Sequence, residues 1–292
     1  MSDALVVEGL TRRFGARLAL DALSFRVPEG SICGLVGPNG AGKTTTMSII
    51  AGFLPADGGR VDLLGQGPFD PAKHRGRVGI LPQDAELPTA STPRQLLTVW
   101  GRLQGLGGRE VSGAVERVLE DVLLRDRADA RIATLSHGMR RRVTVASALL
   151  GAPSFVLLDE PTSGLDPGQA RHLREVLVAR RGRKTILVSS HNLAELERMC
   201  DHVVMIADGR CTRAGSMEQV TGRTREVVVV LAPPFPPGRE GELRLQLGPE
   251  DPRSVEDATT ELLRTLLAEG ARIREVRPGD SLESRYFADT SG

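Results

Sequence analysis

Residues 37–45 read GPNGAGKTT, a glycine-rich stretch that ends in a lysine and two threonines. The stretch matches the pattern G-x-x-x-x-G-K-[ST] and lies between a short apolar run and a predicted helix. Glycines let successive backbone N–H groups curl around phosphate oxygens, Lys43 can reach β and γ phosphates, and the Thr44 hydroxyl suits Mg²⁺. A glycine loop that arose by chance is the alternative, which this context disfavours. The candidate phosphate-binding residues are Gly37, Pro38, Asn39, Gly40, Ala41, Gly42, Lys43, Thr44 and Thr45.

A second chemical element follows the apolar run FVLL at 155–158, which is followed directly by Asp159 and Glu160. Sheets of α/β proteins bind ligands at the carboxyl ends of their strands. Asp159 can hold Mg²⁺ through water, because magnesium keeps much of its hydration shell. Glu160 is then free to orient and deprotonate an attacking water. Two adjacent acids can also form a plain solvated turn, but beside a phosphate loop they favour hydrolysis, with Glu160 and Lys43 as catalytic candidates.

A third element is the stretch TLSHGMRRR at 134–142, which predicts the start of a helix. A helix N-terminus carries free N–H groups and a partial positive charge, so small residues there form a seat for an anion. Ser136 offers a hydroxyl and Gly138 offers its backbone N–H. The run of arginines is expected to form the solvated face of the helix, and contact of one of them with phosphate is the alternative. These arginines are Arg140, Arg141 and Arg142.

Short apolar runs predict the strands that position these residues. They read ALVVEGL, ALSFRV, SICGLVG, RVGILP, SFVLLDE, KTILVSS and HVVMIADG. Helices are predicted over 43 to about 51, from Pro93 toward Leu103, and over an amphipathic stretch that begins at Val111. Thr92 supplies an N-cap for the second of these helices. Strands that alternate with helices indicate a largely parallel sheet covered on both faces, so the predicted fold class is α/β.

The composition and hydrophobic pattern of the sequence change after about Gly222. This change predicts a separate small α+β appendage over 223–292. The runs EVVVVLA and LRLQL predict a hairpin, and PPFPP between them predicts a stiff loop, with a recognition motif as the alternative. A helix capped by Gly270 is expected to follow. Its apolar residues are Leu262, Leu263, Leu266 and Leu267.

Composition narrows the classes of function. The 292 residues carry a net charge of +1 and only 3% aromatic residues, which disfavours a nucleic-acid surface. The longest apolar runs are far shorter than the roughly 18–20 residues of a membrane span, and no signal sequence follows Met1, so we expect a cytosolic protein. The three cysteines lack C-x-x-C spacing and are expected to be small buried hydrophobes. They are Cys33, Cys200 and Cys211.

Taken together, five motifs resemble an ATP-binding cassette (ABC) transporter ATPase subunit over about residues 3–222. They are GPNGAGKTT, ILPQD, LSHGMRRR, VLLDEPTSGLDP and ILVSSHNLAELE, in the family's order and at about its spacing. The resemblance implies a P-loop ABC ATPase core at 1–222, with a helical subdomain at about 84–152. It also implies ATP hydrolysis with Mg²⁺, a homodimer or a pair with a similar subunit, no nucleic acid, and a separate transmembrane permease at the cytoplasmic face of the membrane.

Several site residues are implied by this resemblance alone. Gln83 resembles the Q-loop glutamine that senses Mg²⁺, which completes a metal set with Thr44 and Asp159. His191 resembles the switch histidine that contacts the γ-phosphate and is the third catalytic candidate. Phe14 stands where the family places an aromatic residue, usually Tyr, against adenine; a core-filling phenylalanine is the alternative. Ser163 to Asp166 resemble the D-loop of the dimer interface, with Ser163 and Asp166 as its site residues.

The resemblance implies that the loop around Ser136, His137 and Gly138 seals the ATP of the facing subunit. This sequence departs from the family's Leu-Ser-Gly-Gly-Gln, because His137 replaces the first glycine and Met139 the glutamine. His137 either adds charge to the anion-binding site at this helix N-terminus or points outward.

The direction of transport also rests on resemblance. The run GMRRR and the C-terminal stretch LLRTLLAEGARIREVRPGDSLESRYFADT resemble exporters of drugs, polysaccharides and similar cargo. The permease is expected to dock after Gln83, at DAELPTASTPRQLL. The alternatives are a soluble ABC ATPase that acts on ribosomes or DNA, and a regulatory cassette that scarcely hydrolyses ATP. A single cassette with only about 90 residues from Lys43 to Thr134 disfavours the first, and the pair Glu160 and His191 disfavours the second.

Overall fold

The computed structural model describes residues 2–221, 226–234, 241–246 and 255–278. The chain divides into two compact units, Met1–Ala214 and Gly215–Gly292. The boundary that composition indicates near residue 222 stays a prediction.

The strands and helices of these ranges follow in chain order. The strands are β1 (Asp3–Phe14), β2 (Arg17–Pro28), β3 (Ile32–Val36), β4 (Gly58–Leu63), β5 (Val78–Leu81), β6 (Phe155–Asp159), β7 (Thr185–Ser189), β8 (His202–Ala207), β9 (Arg210–Ser216), β10 (Glu226–Ala232), β11 (Glu242–Gln246) and β12 (Arg272–Pro278). The α-helices are α1 (Lys43–Ile50), α2 (Pro93–Leu103), α3 (Gly108–Asp121), α4 (His137–Leu149), α5 (Pro167–Val178), α6 (Leu193–Met199), α7 (Met217–Thr221) and α8 (Val255–Ala268).

A six-stranded sheet carries the candidate site. Its strand order is β5-β6-β7-β3-β8-β9, and each neighbouring pair from β5 to β8 is parallel. Every residue of β3, β6 and β7 is buried, as expected of parallel strands covered on both faces. The predicted α/β class with a mostly parallel sheet is confirmed. Because parallel strands end at the same edge, the loops after β3, β5, β6 and β7 meet there.

A second sheet braces the first helix. It is antiparallel with the order β2-β1-β4, and its apolar side chains share one core with Met47 and Ile50 of α1 and with Leu35 of β3. This packing fixes α1 and therefore the loop that precedes it. All three cysteines are free; Cys33 and Cys200 are buried as predicted, and Cys211 is partly buried.

The helices between β5 and β6 have the starts and faces that the sequence predicts. Thr92 caps α2 in a reciprocal capping box with Gln95, and Pro93 is the first helical residue. The apolar stripe of α3 is buried. Within the described ranges, no helix has the length and apolar character needed to cross a membrane.

The C-terminal unit has its own small core. Strand β10 pairs antiparallel with both β11 and β12, and Val229 of β10 packs in one cluster with Leu266 of α8. The hairpin and helix expected here are therefore present. Gly270, at φ 79°, ends α8 and donates its N–H to Leu267 O at 3.1 Å. Most of the proline-rich turn and the SLESRYF stretch lie outside the described residues.

Candidate active site

The glycine-rich loop after β3 has the backbone of a phosphate cradle. Gly40 and Gly42 have φ values of 84° and 105°, a left-handed region that favours glycine. A Cβ at Gly42 would lie 2.5 Å from Leu20 Cδ2, and one at Gly37 would lie 2.4 Å from Ile206 O. Gly42 caps α1, whose first turn holds no acidic residue, so the positive end of the helix is free to attract an anion.

Lys43 is held by its own loop. Its ammonium donates to Gly37 O at 2.7 Å and to Pro38 O at 3.1 Å. Burial lowers the pKa of Lys43, and the carboxylates of Glu160 and Asp159 oppose that shift. A compact cation is thus aimed along the loop where phosphate oxygens would lie, so the loop fits a nucleoside triphosphate.

Three side chains at this loop, those of Thr44, Gln83 and Asp159, each carry an oxygen atom that can ligate a metal ion. Thr44 Oγ1 donates to Gln83 Oε1 at 3.0 Å, and Asp159 accepts a hydrogen bond from Ser189 Oγ. Burial raises the pKa of Asp159, and the Ser189 hydrogen bond acts in the opposite direction. In the described ranges, no group of three His, Cys, Asp or Glu side chains could hold a metal ion. The hydroxyl, amide and single carboxylate instead fit Mg²⁺, which takes one or two protein carboxylates and completes its shell with phosphate and water.

Glu160 contacts His191 directly, although β6 and β7 deliver them from separate parts of the sequence. Glu160 Oε2 lies 2.8 Å from His191 Nδ1. The backbone of Glu160 has φ 50°, which is costly for a residue with a side chain. Its N–H donates to Ser189 Oγ at 3.0 Å and to Ser189 O at 3.2 Å. The turn after β6 is therefore held in a conformation that aims the carboxylate at His191.

One cavity of about 1250 Å³ brings most of the predicted site residues together. Those that line it are Phe14, Asn39, Gly40, Gly42, Lys43, Thr44, Thr45, Gln83, His137, Asp159, Glu160, Ser163 and His191. Those that do not line it are Gly37, Pro38, Ala41, Ser136, Gly138 and Asp166. The volume is ample for a nucleotide.

Phe14, at the end of β1, is 47% exposed and lines this cavity. The guanidinium carbon of Arg12 lies 5.0 Å from the centre of its ring, within cation–π range. The ring is therefore available for stacking, whereas a core-filling phenylalanine would be buried.

The loop at the start of α4 packs on the loop before α5. Ser136 caps α4 by accepting the N–H of Met139 at 3.2 Å, which leaves its hydroxyl proton available. A Cβ at Gly164 would lie 2.6 Å from the imidazole of His137, and a Cβ at Gly138 would lie 3.2 Å from Gly164 O. His137 thus contacts the predicted D-loop of its own chain.

The two D-loop residues differ in position. Ser163 lines the cavity. Asp166 caps α5 by accepting the N–H of Gln169 at 2.9 Å, so its carboxylate is engaged in helix capping.

The expectation that the arginine run forms a solvated face is wrong for Arg141 and Arg142, which are 8% and 7% exposed. Burial lowers the pKa of both guanidinium groups, and Asp159 and Glu160 oppose that shift at Arg141. Both side chains donate to backbone carbonyls, which makes their burial possible. Arg140 and Arg141 line the cavity, as the alternative of one arginine near phosphate allows, but the sequence did not single out Arg141. Helix geometry gives a partial signal: three consecutive helical residues span about 200°, so a helix covered over more than half of its circumference buries at least one of them.

Comparisons with known proteins agree with this geometry. The ABC transporter family profile matches residues 20–163. The Nod factor export ATP-binding protein I of Burkholderia lata is 44% identical over 211 residues, which cover 70% of this chain and 68% of that protein. The protein of the same name from Ralstonia nicotianae is 41% identical over 222 residues, covering 74% and 68% of the two chains.

Solved structures give the same result. An ATP-binding subunit of an ABC transporter aligns with a TM-score of 0.68 and 28% identity, over 75% of this chain and 92% of that one. A bacterial Atm1-family ABC exporter with ATP bound aligns with a TM-score of 0.66 and 26% identity, over 76% and 40%.

The chain belongs to the ABC transporter family. It is the ATP-binding subunit of a transporter, an ATPase whose hydrolysis of ATP is coupled to transport. Since transport requires a path through the membrane, this ABC subunit works with a membrane partner.

Proposed function

We propose that two such ABC cassettes close head to tail on ATP, hydrolyse it and reopen, and that this cycle drives export through a separate permease. The export direction is supported by the relatives, which are named as export ATP-binding proteins, and by the Atm1-family exporter among the structural neighbours. The ribosome- or DNA-directed alternative has no support of this kind.

The observation that carries the proposal is the 2.8 Å contact between Glu160 Oε2 and His191 Nδ1 inside the cavity that Lys43 lines. Glu160 is the general base that takes a proton from the attacking water. A general base must lie within hydrogen-bond reach of the proton that it takes. His191 orients the carboxylate and contacts the γ-phosphate. Lys43 binds the β and γ phosphates as a point charge.

The remaining site residues bind and orient the nucleotide. Phe14 stacks on adenine, and the backbone N–H groups of the loop at 37–45 surround the phosphates. Thr44, Gln83 and Asp159 hold Mg²⁺, which when bound neutralises charge that develops on the phosphate oxygens.

Ser136, His137 and Gly138 contact the ATP bound by the facing cassette, and Ser163 and Asp166 line the interface. Each complete site then requires two chains, either two copies of this one or this one and a similar subunit. The free hydroxyl proton of Ser136 supports this role, because it can donate to a γ-phosphate oxygen.

The assembled transporter places this subunit at the cytoplasmic face of the membrane. The segment after Gln83, with the sequence DAELPTASTPRQLL, contacts the permease. Its position next to the cavity supports this assignment, because several of its residues line the wall beside Gln83.

The first experiment tests the composite site. Glu160→Gln should trap an ATP-bound dimer on gel filtration in ATP and magnesium, because it removes the base and keeps the shape. Lys43→Ala should bind ATP weakly and stay monomeric, and Glu175→Gln, an exposed change on α5, should behave as the wild type. A folded Glu160→Gln protein that stays monomeric in saturating ATP would contradict the two-chain site.

The second experiment tests coupling to a membrane protein. The tagged chain is purified from gently solubilised membranes of its native cells, and proteins that copurify in stoichiometric amount are identified. A hydrophobic protein with several spans is the expected result. Ribosomes or DNA-associated factors would contradict the proposal and favour the alternative.

A further inference from the structure

Arg141 joins two loops of the candidate site through backbone carbonyls. Its Nη2 donates to Asp159 O at 2.5 Å and to Glu160 O at 2.8 Å. Its Nη1 donates to Gln83 O at 3.1 Å and, more weakly, to Pro82 O at 3.5 Å. One side chain therefore bridges the loop after β5 and the turn after β6.

The acceptors are carbonyls, although acidic side chains are close. Asp159 and Glu160 lie near enough to affect the pKa of the guanidinium, yet their backbone oxygens accept its hydrogen bonds. The two carboxylates therefore stay available for a metal ion and for water. A planar fork that donates in two directions suits this bridge, whereas the compact ammonium of a lysine does not span it.

The bridge acts where the backbone is strained. Glu160 has φ 50°, a conformation that persists only where its surroundings hold it. Ser189 accepts the Glu160 N–H on one side, and Arg141 donates to the Glu160 carbonyl on the other. Loss of either set of bonds would let the turn relax and redirect the carboxylate.

Arg141 also belongs to the helix that begins at the predicted signature loop. It lies in the second turn of α4, five residues after the N-cap Ser136, which is about 7.5 Å along the axis. A helix segment of this length moves as a rigid piece. A shift of the Ser136 loop therefore moves the guanidinium and the two loops that it bridges.

We propose that Arg141 is a positioning residue that couples α4 to the loops carrying Gln83 and Glu160. Engagement of the Ser136 loop by a facing cassette is thereby transmitted to the hydrolytic residues of the same chain. This inference rests on the proposed roles of Glu160 and Gln83.

The next residue supplies a matched control. Arg142 lies on the same helix, is equally buried, and donates to Val122 O and Leu123 O, both at 2.9 Å. These acceptors lie in the segment after α3, away from the cavity-lining residues. Arg142→Met therefore removes a buried guanidinium from α4 without breaking the bridge between the two loops.

The test compares Arg141→Met, Arg141→Lys and Arg142→Met in the full chain. Arg141→Met should lower kcat for ATP at least tenfold, with KM and the affinity for a fluorescent ATP analogue within threefold of the wild type. Arg141→Lys should recover part of kcat, because it keeps the charge and one set of donors. Arg142→Met should keep kcat within threefold even where its melting temperature falls.

Amide hydrogen exchange without nucleotide gives a readout independent of hydrolysis. Arg141→Met should speed exchange in peptides that cover 83–87 and 160–164 at least threefold, and Arg142→Met should not. Equal kcat and exchange in Arg141→Met and Arg142→Met would overturn the proposal. If Arg141→Met does not fold, Arg141→Lys decides: wild-type kcat and exchange in that variant would also overturn it.

Failure of the proposed function gives a different pattern. A wild-type chain that does not hydrolyse ATP, or a Glu160→Gln chain that never dimerises, contradicts the proposed function. The exchange comparison still tests the bridge in that case, since faster exchange in both loops supports it and unchanged exchange overturns it.

Discussion

Asp159→Asn should stabilise the nucleotide-free protein while it weakens binding of magnesium and ATP. The Asp159 side chain is 3% exposed and lies next to a second carboxylate, Glu160. Burial raises the pKa of Asp159, which means that the folded state binds its proton more tightly than the unfolded state does. The asparagine keeps an oxygen that can accept from Ser189 and carries no charge.

The sign of the pH dependence follows from proton linkage. Because the folded pKa is raised, the free energy of unfolding falls as the pH rises from the unfolded pKa, about 3.9, through the folded pKa. Above the folded pKa the cost of the buried charge is fully present. Removal of the buried charge should therefore raise the free energy of unfolding by about 1–3 kcal/mol at pH 7.5. The melting temperature should rise by several degrees, at about 2–4 °C per kcal/mol for a domain of 150–250 residues.

The assay is thermal unfolding followed by circular dichroism. In EDTA at pH 7.5, Asp159→Asn should melt above the wild type, and the gap should close as the pH falls toward 4. With Mg²⁺ and ATP at about 1,000 times the wild-type Kd, the wild type gains about 4.1 kcal/mol. This exceeds the advantage of a variant that scarcely binds ATP, so the order should reverse. A variant that melts below the wild type in EDTA at pH 7.5 would refute the reasoning.

Asp57→Asn is a control of opposite sign. The backbone N–H of Arg13, with help from Arg12, lowers the pKa of the exposed Asp57 carboxyl. Its contribution to stability is present above the unfolded pKa and is lost as the pH falls through the folded pKa. Asp57→Asn should therefore melt below the wild type at neutral pH, with a difference that vanishes in acid.

Three further changes test the geometry. Gly42→Ala should lower ATP affinity at least tenfold and destabilise the fold by about 2–4 kcal/mol, because the new Cβ meets Leu20 at 2.5 Å with φ 105°; normal affinity in an analogue titration would contradict this. Gly164→Ala should lower the free energy of unfolding by about 1–2 kcal/mol, because Gly164 has φ 74° and the new Cβ would meet His137. His137→Gly should remove the steric part of this cost, and a double-mutant cycle measures that part. Deletion of 223–292 should leave ATP affinity within threefold; loss of binding in a folded truncation would refute the assignment of the site to the cassette.

Much of the site was predictable because it depends on strand ends. The apolar runs before Asp159 and His191 are short and continuous, and such runs form buried parallel strands whose carboxyl ends share an edge. Glycines at 40 and 42 occupy backbone positions that few other residues tolerate. Local rules also predicted α2, where Thr92 and Pro93 have the roles that helix starts require.

The missed features depend on tertiary contacts. The pattern of charges predicts exposure, but α4 is packed on several sides, and Arg141 and Arg142 reach carbonyls that are distant in sequence. Their acceptors are backbone atoms, which leave no trace in residue types. The contact of His137 with Gly164 depends in the same way on how two loops meet. The capping role of Asp166 is local instead, because its acceptor oxygen bonds the N–H of Gln169 three residues later and Pro167 follows it, as at the start of α2.

The central position of β3 has a consequence for biosynthesis. Strand β3 ends at Val36, but its two neighbours in the sheet, β7 and β8, begin only at Thr185 and His202. At about 5–20 residues per second, a ribosome needs on the order of 7–30 s to reach them. During that interval β3 and the phosphate loop can pack on the antiparallel sheet β2-β1-β4, but β3 has neither of its hydrogen-bonded neighbours in the six-stranded sheet. ATP can therefore assist folding only after most of the cassette has been made, and the emerging strand needs shelter from aggregation until then.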